Sequence, residues 1–247
     1  MSCRSETVAV PRVFAAASLQ DALREVRSLY ESHGAAFSLN FAGSNILARQ
    51  IANARVGDLF FSADEAWMSW LEERGLVVPE SRFTLLGNRL VIVARRDSKH
   101  TLRAAEGLAQ SGFQRIFLGD PELVPAGRYA RAALLEHRVA GQPLWSLVSS
   151  RVVPALDVRA ALAGVASSPH HLGIVYATDA RVDRRVNVLC ELPLRGQQIR
   201  YPVATLRHAR HPEKAARLSR FLAAPEALGV FERHGFIPLH RARPQGA

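Results

Sequence analysis

The chain has 247 residues, 48% of them hydrophobic and 22% charged, with a formal net charge of +10; this can bury one large core or two modest ones, in the balance typical of a globular protein. No window of about 18 apolar residues occurs, which excludes a predicted transmembrane helix. The positive charge is scattered in short groups, without interleaved aromatic residues and without helix-turn-helix or zinc-finger spacing, so we predict no nucleic acid partner.

The first predicted strand, from Val8 to Phe14, runs directly into a predicted helix. Apolar residues recur at helical spacing from Leu19 to Tyr30, and Ser18 with Asp21 three residues later has the form of a capping box. A helix start of this kind presents free backbone N–H groups and favours an anion. Because a serine before an amphipathic helix is usually only a cap, this junction alone does not establish a binding site.

A second junction of the same kind follows. The segment from Phe37 to Phe41 alternates like a strand, and a helical pattern begins at Ile46. Between them, Gly43 allows a ligand to approach the backbone closely, while Ser44 and Asn45 can cap the helix. A tight, capped loop without any ligand is the alternative interpretation.

The alternation continues and then restarts, which is typical of two doubly wound α/β lobes. We predict that residues 8–88 and 203–247 form the first lobe, that residues 89–202 form the second, and that a hinge joins them. The further predicted elements are a strand at Asp58 to Ser62, a helix at Glu65 to Arg74, strands at Phe83 to Leu86, Leu90 to Ala94, Arg115 to Gly119 and Gly173 to Tyr176, a returning strand at Tyr201 to Ala204, and helices at Glu213 to Ala223 and Pro225 to His234.

Short segments along nearly the whole chain share an ordered pattern with one protein family. They are VFAAASL from Val13, FAGSNILARQ from Phe41, DLFFSADEAWM from Asp58, LLGNRLVIVA from Leu85, GDPELVPAGRYA from Gly119, DVRAAL from Asp157, LGIVYATDA from Leu172, YPVA from Tyr201, and Gly235-Phe236. In this order they resemble the substrate-binding proteins of molybdate ABC transporters. The chain departs from the family at Gly43 and Asn45, where serines are common, and in its arginine-rich surface.

The resemblance implies a fold and a ligand site. The fold would be that of type II periplasmic binding proteins, whose two α/β lobes close on a tetrahedral oxyanion. Carried over by position, the ligand contacts fall on Ser18, Ser44, Ala126, Val158 and Tyr176. Hydroxyl groups and N–H groups at helix starts would hold the oxygens of molybdate, or of tungstate, so that the molybdenum is bound only through its oxygens. The resemblance implies no cofactor.

The local sequence around two of these positions is compatible with that role. Pro125 has no N–H and fixes φ at a helix start, so the donors just after it point outward, and Asp157 can cap a helix that begins at Val158. Considered alone, Val158 and Tyr176 would be interpreted as core residues. Only the ordered resemblance assigns them to a site.

We therefore predict a monomeric binding protein, not an enzyme, that delivers molybdate to the membrane permease of an ABC importer. A periplasmic location rests on the resemblance, because Met1 to Arg4 lack the apolar core of a secretory signal. Three explanations are open: the signal was removed, the true start is different, or the protein is not exported; the resemblance favours the first two. The alternatives are an effector-type oxyanion sensor or regulator domain, and an enzyme that uses the oxyanion site. Asp64 and Glu65 could be mistaken for a catalytic pair, but they lie where a helix start favours negative charge, and we expect Trp67 to be a packing residue.

Overall fold

The computed structural model describes residues 10–110 and 112–239. Its strands are β1 (Arg12–Ala16), β2 (Ser38–Ala42), β3 (Leu59–Phe61), β4 (Phe83–Asn88), β5 (Leu90–Arg95), β6 (Arg115–Gly119), β7 (Arg138–Val139), β8 (Gln142–Pro143), β9 (Val152–Ala155), β10 (His171–Tyr176), β11 (Val186–Glu191), β12 (Ile199–Thr205) and β13 (Ile237–Pro238). Its α-helices are α1 (Gln20–Ser32), α2 (Ser44–Ala54), α3 (Glu65–Glu72), α4 (Pro125–Glu136), α5 (Leu144–Val148), α6 (Val158–Ala166), α7 (Ala177–Val182), α8 (Pro212–Leu222) and α9 (Pro225–Arg233). Across the described residues, no helix combines the length and the apolar character needed to cross a membrane.

The first sheet has the strand order β13-β4-β12-β3-β1-β2, and β1 runs parallel to both β2 and β3. Its central strands are buried on both faces, which explains their unbroken apolar sequence. On one face, Val13 and Ala15 pack in a cluster with Leu23 of α1. On the other face, Phe14 and Phe60 pack with residues of α2 and α3.

The second sheet has the order β11-β5-β10-β6-β9. Here β6 runs parallel to β9 and β10, while β5 is antiparallel to β10. Helices α4 and α6 pack on this sheet. The predicted class of two α/β lobes is therefore confirmed, each lobe having its own sheet and a parallel core.

The chain crosses between the sheets twice, once from β4 to β5 and once on entering β12. Because β12 pairs with β4 of the first sheet from Ile199 onward, a lobe boundary after residue 202 would cut through a strand. We propose instead that residues 10–88 and 199–239 form lobe one and that residues 89–198 form lobe two. The predicted first lobe also included residues 8–9 and 240–247, which lie outside the residues that the structure describes.

The C-terminal helices return to lobe one, as the sequence predicts. Tyr30 of α1 packs against Phe221 of α8, with ring centroids 4.7 Å apart, and Phe61 of β3 packs against Phe231 of α9, with centroids 6.1 Å apart. These contacts hold the last helices on the sheet that the first strands build.

Candidate functional site

A small cavity lies between the two lobes, at the carboxyl ends of the parallel strands β1, β2, β3, β6, β9 and β10, which is where α/β proteins generally bind ligands. The cavity volume is about 10 Å³, far below the roughly 300–1,000 Å³ of pockets that bind drug-sized organic molecules. All five residues assigned to the site from the sequence line it. Among the described residues, the lining consists of Ala16, Ala17, Ser18, Gly43, Ser44 and Ala63 from lobe one, and Val124, Pro125, Ala126, Asp157, Val158 and Tyr176 from lobe two.

Ser18 reaches the cavity from a turn of 3₁₀ helix, Ala17–Leu19, that follows β1. The predicted capping box of Ser18 and Asp21 is wrong, because this extra turn places Leu19 at the N-cap of α1 and no side chain caps that helix. The Ser18 side chain is only 3% exposed, and its Oγ lies 3.0 Å from the hydroxyl oxygen of Tyr201. Its hydroxyl therefore belongs to a buried polar group rather than to a helix cap.

Ser44 is the first residue of α2 and not its cap. Gly43 occupies the N-cap position, and no side-chain hydrogen bond caps the helix, so the predicted caps at Ser44 and Asn45 are wrong. The Ser44 Oγ instead accepts a hydrogen bond of 3.0 Å from the backbone N–H of Ala63. Because a backbone N–H can only donate, the Ser44 hydroxyl keeps its own hydrogen for another acceptor, beside first-turn N–H groups that have no partner within the helix.

Two helix starts bring lobe two to the cavity, and the predictions for both are confirmed. Pro125 is the first residue of α4, and the Asp157 carboxylate caps α6 by accepting from the N–H of Ala160 at 2.9 Å. A Cβ atom on Gly127 would lie 1.8 Å from the carbonyl oxygen of Gly119. Glycine at that position therefore allows the start of α4, with Ala126, to pack directly on the end of β6.

Tyr176 ends β10 and is 1% exposed. Among the described residues its hydroxyl has no hydrogen-bond partner, which is unusual for a buried polar group and costs about 1–3 kcal/mol. Burial raises the pKa of Tyr176 well above its usual range, so the phenol stays protonated. The structure thus holds a neutral donor at the cavity with no acceptor of its own.

The site offers hydrogen-bond donors without a balancing cation. No lysine, arginine or histidine is among the described residues that line the cavity. The starts of α2, α4 and α6 face it, and each contributes unpaired N–H groups and the positive end of a helix dipole. An arrangement of this kind can replace the hydration shell of a compact anion.

Two side-chain contacts join the lobes next to Ala63 and Val124 of the cavity lining, and sequence reasoning missed this role. The indole N–H of Trp67, which we expected only to pack, donates to the carbonyl oxygen of Leu123 at 2.8 Å. Next to it, an Arg128 Nη lies 3.1 Å from a carboxylate oxygen of Asp64. Asp64 also caps α3 through the N–H of Trp67, and burial raises the pKa of its carboxyl group. Asp64 is therefore engaged as a cap and an ion-pair partner.

A second interlobe ion pair involves Arg159, the residue after Val158 of the cavity lining. Arg159 of α6 contacts Asp21 of lobe one at 2.6 Å and the fully buried Asp179 of lobe two at 2.5 Å. Burial raises the pKa of Asp179 to about 6, although Arg159 opposes the shift. The sequence carries no signal for this triad, because Asp21 and Arg159 are 138 residues apart.

Comparison with known proteins places these features in a family. Residues 11–237 match the family described as bacterial extracellular solute-binding protein. The chain is 37% identical over 236 residues to the molybdate-binding protein ModA of Escherichia coli, covering 91% of this chain and 87% of that protein.

Two solved structures have the same fold. The periplasmic molybdate-binding protein of Azotobacter vinelandii is 21% identical with a TM-score of 0.79, covering 92% of this chain and 98% of that one. The sulfate-binding protein SubI of Mycobacterium tuberculosis is 16% identical with a TM-score of 0.83, covering 94% of this chain and 87% of that one. At these identities the two structures are similar to this chain in fold alone, so the fold does not distinguish one oxyanion from another.

Proposed function

We propose that this protein binds molybdate between its two lobes and delivers it to an ABC importer. The chain belongs to the family of bacterial extracellular solute-binding proteins. The single observation that carries the proposal is that Ser18, Ser44, Ala126, Val158 and Tyr176, which are far apart in sequence, line one compact cavity. The similarity to ModA of Escherichia coli supports molybdate as the ligand.

The proposed mechanism is recognition by neutral donors. Ser18, Ser44 and Tyr176 would donate through their hydroxyl groups, while Ala126 and Val158 would donate through backbone N–H groups at helix starts. The helix dipoles add positive potential without placing a full charge in the cavity. A dianion bound in this way is held by many weak, fixed interactions from both lobes, so we propose that binding favours the closed arrangement.

Selection between oxyanions would depend on size. The metal–oxygen bonds of molybdate and tungstate are similar in length and longer than the sulfur–oxygen bonds of sulfate. A ring of donors that fits the larger ions leaves some donors too far from sulfate, and each stretched hydrogen bond inside a buried site weakens binding. Tungstate is therefore proposed as a second ligand, and sulfate as a poor one.

The biological setting is part of the same proposal. The partner would be the membrane permease of an ABC importer, and the protein would act as a monomer in the periplasm. It would not be an enzyme, since its relatives are named for binding, and the acidic pair that best resembles a catalytic one includes Asp64, which caps α3 and pairs with Arg128.

Titration calorimetry with molybdate, tungstate, sulfate and phosphate tests the proposal. We expect one molybdate or tungstate per chain, bound far more tightly than sulfate, and a Ser44→Ala variant weaker by about tenfold to a hundredfold. Ser219→Ala is the matched control, because Ser219 is buried in α8 but does not line the cavity. Tight binding of sulfate or phosphate without molybdate would overturn the assignment, and equal affinities of the Ser44 variant and the control would remove Ser44 from the site.

A further inference from the structure

A buried polar chain leads from the crossover between the lobes to Ser18. The backbone N–H of Arg89 donates to Oδ1 of Asn88 at 2.8 Å. Nδ2 of Asn88 lies 3.0 Å from Oγ1 of Thr178 and 3.2 Å from the hydroxyl oxygen of Tyr201. The Tyr201 hydroxyl in turn lies 3.0 Å from Oγ of Ser18. Four side chains are thus linked from α7 and the end of β4 to the cavity wall.

The backbone of Arg89 sets the direction of this chain. Because a backbone N–H can only donate, the Asn88 atom that it reaches must be the oxygen, and the amide nitrogen must face Thr178 and Tyr201. The Asn88 nitrogen donates both of its hydrogens, so the oxygen of Tyr201 accepts one of them. The orientation of the Asn88 amide is therefore fixed by the backbone N–H of Arg89, which can only donate.

The direction continues to Ser18. Burial raises the pKa of Tyr201 far above its usual range, so this hydroxyl keeps its hydrogen. Having accepted from Asn88, it can donate to Ser18 Oγ at 3.0 Å. Tyr176 stands beside it, with ring centroids 5.7 Å apart, and its hydroxyl has no hydrogen-bond partner of normal geometry among the described residues. In the direction that Asn88 favours, Ser18 accepts from Tyr201 and its own hydrogen is free for the cavity.

We propose that Asn88 and Tyr201 are positioning residues that hold Ser18 as a donor and so make the site select oxyanions without a proton over oxyanions that carry one. This inference rests on the proposed function, because it concerns the same anion site. To accept a proton from a ligand, Ser18 would have to turn its hydrogen toward Tyr201, and the hydrogen bond that Tyr201 donates to Ser18 would be lost. Giving up a buried hydrogen bond disfavours that arrangement.

An Asn88→Asp variant reverses the chain with little change in shape. A carboxylate only accepts, and the N–H of Arg89 with the hydroxyl groups of Thr178 and Tyr201 can keep it ionised. Tyr201 must then donate to residue 88, so the hydrogen of the Ser18–Tyr201 hydrogen bond must come from Ser18. The Ser18 hydrogen is engaged inside the protein, and a lone pair of Ser18 faces the cavity.

The test compares selenate with hydrogen arsenate, two dianions of similar size that differ by one proton, each competing with molybdate at mildly alkaline pH. In the unmodified protein we expect selenate to compete better. In Asn88→Asp we expect weaker molybdate binding and a preference for selenate over hydrogen arsenate that is narrowed by about tenfold. The added negative charge repels both dianions alike, so an unchanged preference would overturn the inference.

The double variant Asn88→Asp, Tyr201→Phe is the charge-matched control. It keeps the new carboxylate but removes the Tyr201 hydroxyl, which connects residue 88 to Ser18. Its preference for selenate over hydrogen arsenate should therefore return to that of Tyr201→Phe alone. If the double variant keeps the narrowed preference, Tyr201 does not transmit the direction and the inference fails.

If thermal melts show that Asn88→Asp does not fold, the single variant Tyr201→Phe tests the positioning role of Tyr201. Loss of the donor to Ser18 should weaken molybdate binding by about threefold to tenfold. Tyr30→Phe, which alters a buried tyrosine of α1 that does not line the cavity, should leave binding unchanged. Equal affinities in the two variants would overturn the inference. Molybdate binding by the unmodified protein together with such a result would leave the proposed function intact, whereas no oxyanion binding at all would contradict both.

Discussion

Removing the hydroxyl of Tyr176 tests the site at its most distinctive atom. This hydroxyl is buried and has no partner among the described residues, so a bound anion would be its acceptor. A hydrogen bond from a neutral donor to a charged group contributes about 1.5–3 kcal/mol, so Tyr176→Phe should weaken molybdate binding by about tenfold to a hundredfold. The ring remains, and its packing against Tyr201 should keep the fold intact.

The effect can be measured as a loss of ligand-induced stabilisation. At a molybdate concentration a thousand times its dissociation constant, the unmodified protein gains about 4 kcal/mol, and a variant that binds ten to a hundred times more weakly gains only about 1.4–2.7 kcal/mol. For a chain of this size, 1 kcal/mol corresponds to about 2–4 °C in Tm. The thermal shift should therefore fall from about 8–16 °C to about one third to two thirds of that value.

The comparison with Tyr30→Phe gives the experiment its control. Tyr30 is also a buried tyrosine, 4% exposed, but it packs against Phe37 and Phe221 away from the cavity. Its variant should show the full molybdate-induced shift. The reasoning is refuted if Tyr176→Phe shows the same shift as Tyr30→Phe, because the unpartnered hydroxyl would then have no part in binding.

Further predictions concern closure and pH. Asp21→Asn removes an interlobe ion pair with Arg159 that is partly exposed, so we expect molybdate affinity to fall only about twofold to fivefold, and a loss above a hundredfold by calorimetry would contradict this. Because the folded-state pKa of Asp179 is raised from 3.8 to about 6, its contribution to stability is present below the lower value and is lost as pH rises toward the higher one. We therefore expect the difference in urea midpoint between the unmodified protein and Asp179→Asn, taken in that order, to decrease as the pH rises from about 4 to about 6. A constant or rising difference would show that the pKa of Asp179 is not raised. Since no histidine is among the described residues that line the cavity, molybdate affinity should be nearly flat from about pH 6.5 to 8.5, and a steep change in calorimetric titrations would reveal a titrating group at the anion. Small-angle scattering should give a smaller radius of gyration with molybdate, whereas an unchanged curve despite binding would mean that the lobes do not close on the ion.

Local chemistry predicted the starts of α4 and α6 in lobe two, but not the caps of α1 and α2 in lobe one. Pro125 and Asp157 act through their own backbone geometry or through an N–H three residues away, so the sequence alone contains the information. Ser18 and Ser44 have equally good capping sequences, yet neither caps a helix. A 3₁₀ turn shifts the start of α1 past Ser18, and Gly43 takes the N-cap of α2. The way the preceding strand ends decides which residue of the turn becomes the N-cap. The sheet determines where the strand ends, so the local sequence does not predict the cap.

The residues around the cavity could be predicted only through a family resemblance, because their contacts are remote in sequence. Ser18 and Tyr201 are 183 residues apart, and Asn88 and Tyr201 are 113 apart. No periodicity or local motif connects positions at such distances. The YPVA segment that includes Tyr201 contributed to the resemblance but gave no reason to assign a role to that residue, because Tyr201 acts on Ser18 from behind the cavity wall rather than from within it.

The separation between a basic surface and a cavity without cations has a kinetic consequence. The formal net charge of +10 creates a long-range attraction that can speed the arrival of a dianion, and dissolved salt at 0.1 M screens this attraction at distances beyond about 10 Å. Short hydrogen bonds inside a closed cavity are screened far less. Capture should therefore slow as ionic strength rises, while the rate of release stays nearly constant, so salt would control how quickly the protein loads and only the opening of the lobes would control how quickly it unloads.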